Sequence, residues 1–359
     1  MSLPSPAPVT AASPATLWYT RCPVPTAFGI AVQQGLLERE FAHDGLEIRS
    51  LQESNRREVR ASHFDHTQPN SVRQGGNIPA IWTRANGRET RLLGLTWTDE
   101  YQAIITLPGR GIATAKDLVG RRLSIGNNPS GIIDVGRAQS LRGYANALRT
   151  IGHVLKDVEL VEYHEARDTH APPDASLPKG TTNGLGTVDR RGWSQEIAGM
   201  VRGEVDAVYV KGARGAEIAS LIGAEVVVDL GNHPDPLIRS NNPTPRTFTA
   251  DAGLLEQRPD VVERTLARVL EASRWAEAHP EEARAYVGRE IGATPEWVHF
   301  AYGDVHRHLG TDLLEPEIAA LQDWANFLAD HGFASRRIDV RAWIDPRPLE
   351  AARRRAHAA

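Results

Sequence analysis

Short β-branched and apolar runs alternate with helix-forming stretches through the first two thirds of the chain, and that order restricts the fold more than any other feature. Residues 16–20, 46–51 and 90–95 have strand patterns, with helical patterns at 26–32 and around Ala80-Ile81-Trp82 between them. The alternation then restarts. Strands are expected at 102–106, 122–126, 158–163, 205–210 and 226–230, with a short helix at 114–119 and longer ones at 143–154 and 194–201. Such a β-α-β order predicts mostly parallel sheets covered by helices, here as two α/β units in series. After Pro245 the pattern becomes helical, at 259–279, 280–291, 295–309 and 315–331, each opened by a proline or an acidic residue.

The expected organisation is a loose lead-in over 1–15, a first lobe from 16–100 plus 240–359, and a second lobe from 101–239. The C-terminal helices should brace the first lobe. Residues 164–192 carry three prolines and four glycines without an apolar period, which predicts a long surface loop.

At 359 residues the chain is long enough for a packed core. Its 41 Lys and Arg nearly balance 45 Asp and Glu, so it lacks the basic stripe that nucleic-acid binding needs. No apolar run approaches the roughly 18–20 residues that span a bilayer, which excludes membrane insertion by a helix. The N-terminal stretch has no basic, then apolar, export pattern, so a cytoplasmic location is expected, or a periplasmic one if a leader was removed. With one cysteine, Cys22, an intrachain disulfide, a Cys-based zinc cage and an iron–sulfur cluster are excluded.

Cys22 falls between a strand and the helix that follows it. A helix start would favour a thiolate. Residues 62–79 then bring His63, Arg73 and the Gly75-Gly76 step close together in sequence. A guanidinium offers a planar donor fork to a carboxylate, sulfinate or sulfonate, and glycines let backbone N–H groups approach the same oxygens. Cys–His pairing is a general way to activate a sulfur. Taken alone, a lone cysteine is more often a small buried hydrophobe, an arginine a surface ion pair and a Gly-Gly step a turn, so the site rests on the combination. Asn127-Asn128-Pro129-Ser130-Gly131 follows a strand, and Asn127 and Ser130 are candidates to meet a ligand from the second lobe, a tight turn being the alternative. His63 and His66 flank Asp65 without further ligands at a recognisable spacing, so no metal is expected. His306 and His308 are expected on different, solvated helix faces.

Tyr19-Thr20-Arg21-Cys22-Pro23-Val24-Pro25-Thr26-Ala27, with His63-Phe64, Gln68-Pro69, Arg73, Gly75-Gly76 and Ile78-Pro79, resembles the aromatic sulfinate desulfinase family. That family lies within the type II periplasmic binding-protein superfamily of sulfonate-, nitrate- and taurine-type proteins. Asp117-Leu118-Val119-Gly120-Arg121-Arg122 and Gly203-Glu204-Val205-Asp206-Ala207 are similar to motifs of the wider superfamily. The resemblance implies two α/β lobes around a central ligand cleft. It also implies that Cys22 is the catalytic cysteine, His63 the active-site histidine, Arg73 the sulfinate-binding arginine and Gly76 a backbone donor, with Gln68 and Gly75 in the same motif as substrate-binding residues. Arg21 before the cysteine and Phe64-Asp65-His66-Thr67 depart from the family pattern.

Two routes release sulfite from a sulfinate without a metal or organic cofactor. Either the thiol protonates the carbon while Arg73 holds the oxygens, or the thiolate attacks sulfur to form an adduct that water opens. The expected function is a carbon–sulfur hydrolase acting on a small organic, aromatic sulfinate. The alternative is the solute-binding protein of an ABC importer for sulfonates, which would meet a permease partner.

Overall fold

The computed structural model describes residues 16–128, 131–164 and 193–358. Within them the strands are β1 (Thr16–Arg21), β2 (Glu47–Ser50), β3 (Ser71–Gly75), β4 (Thr90–Thr96), β5 (Gln102–Thr106), β6 (Arg122–Asn127), β7 (Glu159–His164), β8 (Val208–Lys211), β9 (Glu225–Asp229) and β10 (Arg246–Asp251). A five-stranded sheet has the order β2-β1-β3-β10-β4, a three-stranded sheet the order β8-β5-β9, and β6 pairs with β7. The lead-in over 1–15, Ser130 and nearly all of the expected 164–192 loop lie outside the described residues.

Parallel neighbours need a crossover, and helices supply it. The helices Ala27–Gln33 and Leu36–Phe41 lead from β1 to β2, and Arg57–Asp65 leads from β2 to β3. β1 pairs in parallel with both β2 and β3, in a register that sets Thr20 beside Arg73. The sheets are nevertheless mixed where the sequence predicts mostly parallel ones. β10 runs antiparallel between β3 and β4, and β5 is antiparallel to β8 and β9. Both reversed strands are reached from another sheet, β5 through residues 97–101 and β10 through 230–245 with the short helix Pro236–Arg239, so neither follows a crossover within its own sheet.

The five-stranded sheet is buried on both faces. Tyr19, Phe28 and Phe248 pack with Leu266, Val269 and Val298 on one side, while Ile81, Leu92, Trp324 and Trp343 pack on the other. Burying each such side chain contributes about 1.5–3 kcal/mol, which makes this double layer a rigid support for residues at its edge. The C-terminal helices Pro259–Ala278, Pro280–Ile291, Pro295–Tyr302 and Glu315–Asp330 start where the sequence predicts. The third stops early because Gly303 adopts φ 55°, and a separate turn of 3-10 helix, Val305–Arg307, follows. This corrects the expectation for His306, which is buried in that turn, whereas His308 is exposed. The helix expected at 143–154 is Val135–Arg149, opened by the Asp134 side chain.

Candidate active site

Cys22 extends β1 by one residue, donating its N–H to the Gln74 carbonyl at 3.2 Å. It does not begin the next helix. That helix is capped four residues later, by Thr26 Oγ1 accepting from Gly29 N–H at 2.9 Å. What meets the sulfur is a side chain from the adjacent strand: Arg73 Nη2 donates to Cys22 Sγ at 3.2 Å. Strand alternation sends Thr20 and Cys22 to one face of β1 and Arg21 to the other. There Arg21 forms a buried ion pair with Glu290, Nε to Oε1 at 2.7 Å. The arginine that precedes the cysteine is therefore a structural residue of the opposite face.

Arg73 is 3% exposed, and among the described residues no carboxylate forms an ion pair with it. Its Nη1 donates to the Gly76 carbonyl at 3.0 Å and reaches Thr247 Oγ1 at 3.4 Å. Burial pushes its pKa below the ordinary value, and the Cys22 sulfur pulls the other way. An unpaired buried cation costs on the order of several kcal/mol, a cost that an anionic ligand offsets.

His63, in the helix Arg57–Asp65, faces the sulfur with Nε2 at 3.8 Å. Its Nδ1 lies 2.6 Å from Thr20 Oγ1 and 3.3 Å from Gln52 Nε2. The Gln52 amide is oriented by its bond to the Arg21 carbonyl at 2.7 Å, so its second N–H faces Nδ1. With Nδ1 accepting, the imidazole proton resides on Nε2 and points at Cys22.

The glycines are required by close approach. A Cβ on Gly75 would lie 2.4 Å from Cys22 Sγ, and one on Gly76 would lie 2.4 Å from the Asn242 amide. Gly76 meets Arg73 through its carbonyl, while its N–H has no partner among the described residues. The next two N–H groups, of Asn77 and Ile78, are taken by Asn242 O at 2.7 Å and Asn242 Oδ1 at 2.9 Å. Gly76 thus retains the free backbone donor on this turn.

Cys22, His63, Arg73, Gly75 and Gly76 are brought together, whereas Gln68 and Asn127 make their hydrogen bonds elsewhere. Gln68 sits beyond the opposite end of β3, its N–H donating to Ser62 Oγ at 2.7 Å. Asn127 ends β6 in the other α/β unit and donates to Glu162 Oε2 at 2.9 Å. In the turn that follows, Asn128 N–H donates to Asp134 Oδ2 at 2.7 Å. Thr20, Gln52 and Thr247 are residues of the site that sequence reading missed. Thr20 has a sequence signal, since it lies two residues before Cys22 on a strand; Gln52 and Thr247 have none, because only folding brings them near. No group of three or more His, Cys, Asp or Glu among the described residues is placed to hold a metal.

No protein-family model matches the chain. The fold is that of the type II periplasmic binding proteins. The periplasmic aliphatic sulphonate binding protein SsuA from Escherichia coli aligns over 93% of this chain and 92% of its own, with a TM-score of 0.65 at 15% identity. Within that class, the chain is similar to the 2'-hydroxybiphenyl-2-sulfinate desulfinase of Rhodococcus erythropolis, at 27% identity over 357 residues covering 92% of each. A crystal structure of a cysteine-to-serine variant of DszB, in complex with biphenyl-2-sulfinic acid, aligns over 95% of this chain and 99% of that one. Its TM-score is 0.70 at 25% identity. The resemblance carried by the Cys22 and His63 motifs therefore extends through nearly the whole chain.

Proposed function

We propose that this chain is a desulfinase-type carbon–sulfur hydrolase that releases sulfite from a small organic, aromatic sulfinate. The observation that carries the reading is Arg73: a buried guanidinium with no carboxylate partner among the described residues, donating to the chain's lone cysteine sulfur. A sulfinate needs such a pairing, a cation for its oxygens and a reactive group at its carbon–sulfur bond. The similarity to the Rhodococcus desulfinase supports the same reading.

Sulfinate plus water yields the parent hydrocarbon and hydrogen sulfite. One proton goes to the carbon, the sulfur gains hydroxide, and no external oxidant or reductant enters. Arg73 and the Gly76 N–H hold the oxygens, and His63 handles the proton. Because the His63 Nε2 proton and the Arg73 fork both aim at Cys22, its sulfur is the acceptor of both, an arrangement that supports nucleophilic attack on the sulfinate sulfur. Carbon leaves by taking a proton from a water beside His63, and the hydroxide so formed opens the Cys22 adduct, which releases hydrogen sulfite and restores the cysteine sulfur.

Two lobes, 16–100 with 240–359 and 101–239, close over the site and exclude water. The reaction takes place in the cytoplasm, where a free thiol is preserved. The test is sulfite release from a panel of aryl and alkyl sulfinates, with Cys22→Ser in parallel. Release that the serine variant abolishes is the expected result. Tight binding without sulfite would replace the enzyme with a solute-binding protein for organic sulfur anions.

A further inference from the structure

Beside Arg73 the fold leaves a cavity of about 10 Å³ lined by Thr20, Ser62, His66, Ser71, Arg73 and Thr249 among others. That is the space one water requires. Two nitrogens on this wall are buried and, among the described residues, without a hydrogen-bond partner: Arg73 Nε and His66 Nε2. They complement each other. A guanidinium Nε always donates, and in a neutral imidazole with its proton on Nδ1 the Nε2 accepts.

His66 is 6% exposed and ends the helix Arg57–Asp65 with φ 50°. Its backbone is fixed on both sides, its N–H donating to the Ser62 carbonyl at 3.0 Å and its carbonyl accepting from Arg88 Nε at 2.7 Å. Burial, together with the nearby cations Arg73 and Arg88, lowers its pKa well below the ordinary histidine value, so the ring is neutral. A buried donor and a buried acceptor across a water-sized polar space form a site for a bridging water, with the hydroxyls of Thr20, Ser62 and Thr249 available for its second hydrogen.

We infer that one enclosed water joins Arg73 Nε to His66 Nε2, and that His66 is thereby a positioning residue which sets the guanidinium at the angle the substrate anion meets. The inference rests on the proposed anion-binding role of Arg73. His66 touches neither the sulfur nor the substrate. It acts through Arg73, so its loss changes how tightly an anion is held more than how fast bound substrate reacts.

The test has a structural arm and a binding arm. A high-resolution crystal structure should show one water within hydrogen-bond distance of both nitrogens; a dry cavity overturns the inference. Benzenesulfinate affinity is then measured in the Cys22→Ser background by calorimetry. His66→Phe should weaken it about tenfold. His66→Gln, which keeps an acceptor at similar reach, should stay within about threefold of the parent. Lysine lacks an Nε–H at that position, so His66→Phe should have no further effect in an Arg73→Lys background. An equal loss in both backgrounds, or no rescue by Gln, overturns the positioning role. If the protein with Cys22 intact releases no sulfite from any sulfinate, the desulfinase reading fails, while the crystallographic arm still decides the water.

Discussion

The Arg73 guanidinium and the Cys22 sulfur, 51 positions apart in sequence, meet at 3.2 Å because β1 and β3 pair in parallel with Thr20 beside Arg73. The contact is thus a property of strand register. A slip of one residue would turn Arg73 to the opposite face of the sheet, where Arg21 and Glu290 lie.

Replacing the fork with a point charge should be costly at this position. Arg73→Lys keeps the cation but loses the two-pronged geometry, and hydrogen bonds to charged groups are each worth about 1.5–3 kcal/mol. The expected result is a KM for sulfinate raised about tenfold or more, read from initial rates of sulfite release. An unchanged KM would show that the anion is held elsewhere.

Gly75→Ala should be among the most damaging small substitutions in the chain. The new methyl would lie 2.4 Å from Cys22 Sγ, against a sulfur held on both sides. Overpacking of this kind costs about 1–3 kcal/mol, so the melting temperature should fall by several degrees. Sulfite release should fall further than stability does, because the displaced atom is the proposed reacting one.

Thr20→Val should separate positioning from chemistry. The substitution nearly preserves shape and removes the hydroxyl 2.6 Å from His63 Nδ1. The fold should survive with a loss of about 1 kcal/mol, while kcat drops about tenfold as the ring loses its anchor. Equal kcat in the two proteins would leave Gln52 as the residue that orients His63.

Glu317 gives the molecule a pH dependence unrelated to the site. It is 7% exposed in the first turn of the helix Glu315–Asp330, and burial, aided by the Asp312 carboxylate, pushes its pKa from 4.5 up to about 7. A raised folded-state pKa means that the folded chain holds the proton more tightly than the unfolded one. The contribution is complete below the ordinary value and is lost as pH rises through about 7. At about 1.4 kcal/mol per unit, it is worth up to ~3 kcal/mol. Glu317→Gln should therefore melt higher than the parent above pH ~8, with the gain disappearing near pH ~4. A constant difference across that range would contradict the assignment to Glu317.

The sequence was most readable where local chemistry decides. Proline at the first position of the helices Pro259–Ala278, Pro280–Ile291 and Pro295–Tyr302 marks their starts directly. Cys22, His63, Arg73 and the two glycines were identifiable as a group, partly from their types and partly from a resemblance across the motif. The elements that carry His63, Arg73 and the glycines were not. Residues 62–79 carry so many polar side chains that the end of the helix Arg57–Asp65 and the strand Ser71–Gly75 leave no clear period, although both are largely buried. β10 was hidden by the prolines just before it, Pro243 and Pro245, which suggest a turn. Long-range partners such as Gln52 and Thr247 carry no local signal at all, since their places depend on which strands become neighbours.

The position of β10 also has a consequence for biosynthesis. β3 is flanked by β1, which precedes it in the chain, and by β10, which is complete only at Asp251. Until that point leaves the ribosome, the strand bearing Arg73 has one open edge, and Thr247 and Thr249 have yet to arrive beside it. A nascent chain can therefore present Cys22 and Arg73 before the strand carrying Thr247 and Thr249 has joined the sheet. A fragment ending before residue 246 should be inert, and supplying the missing C-terminal segment in trans is the route by which it would regain a complete sheet.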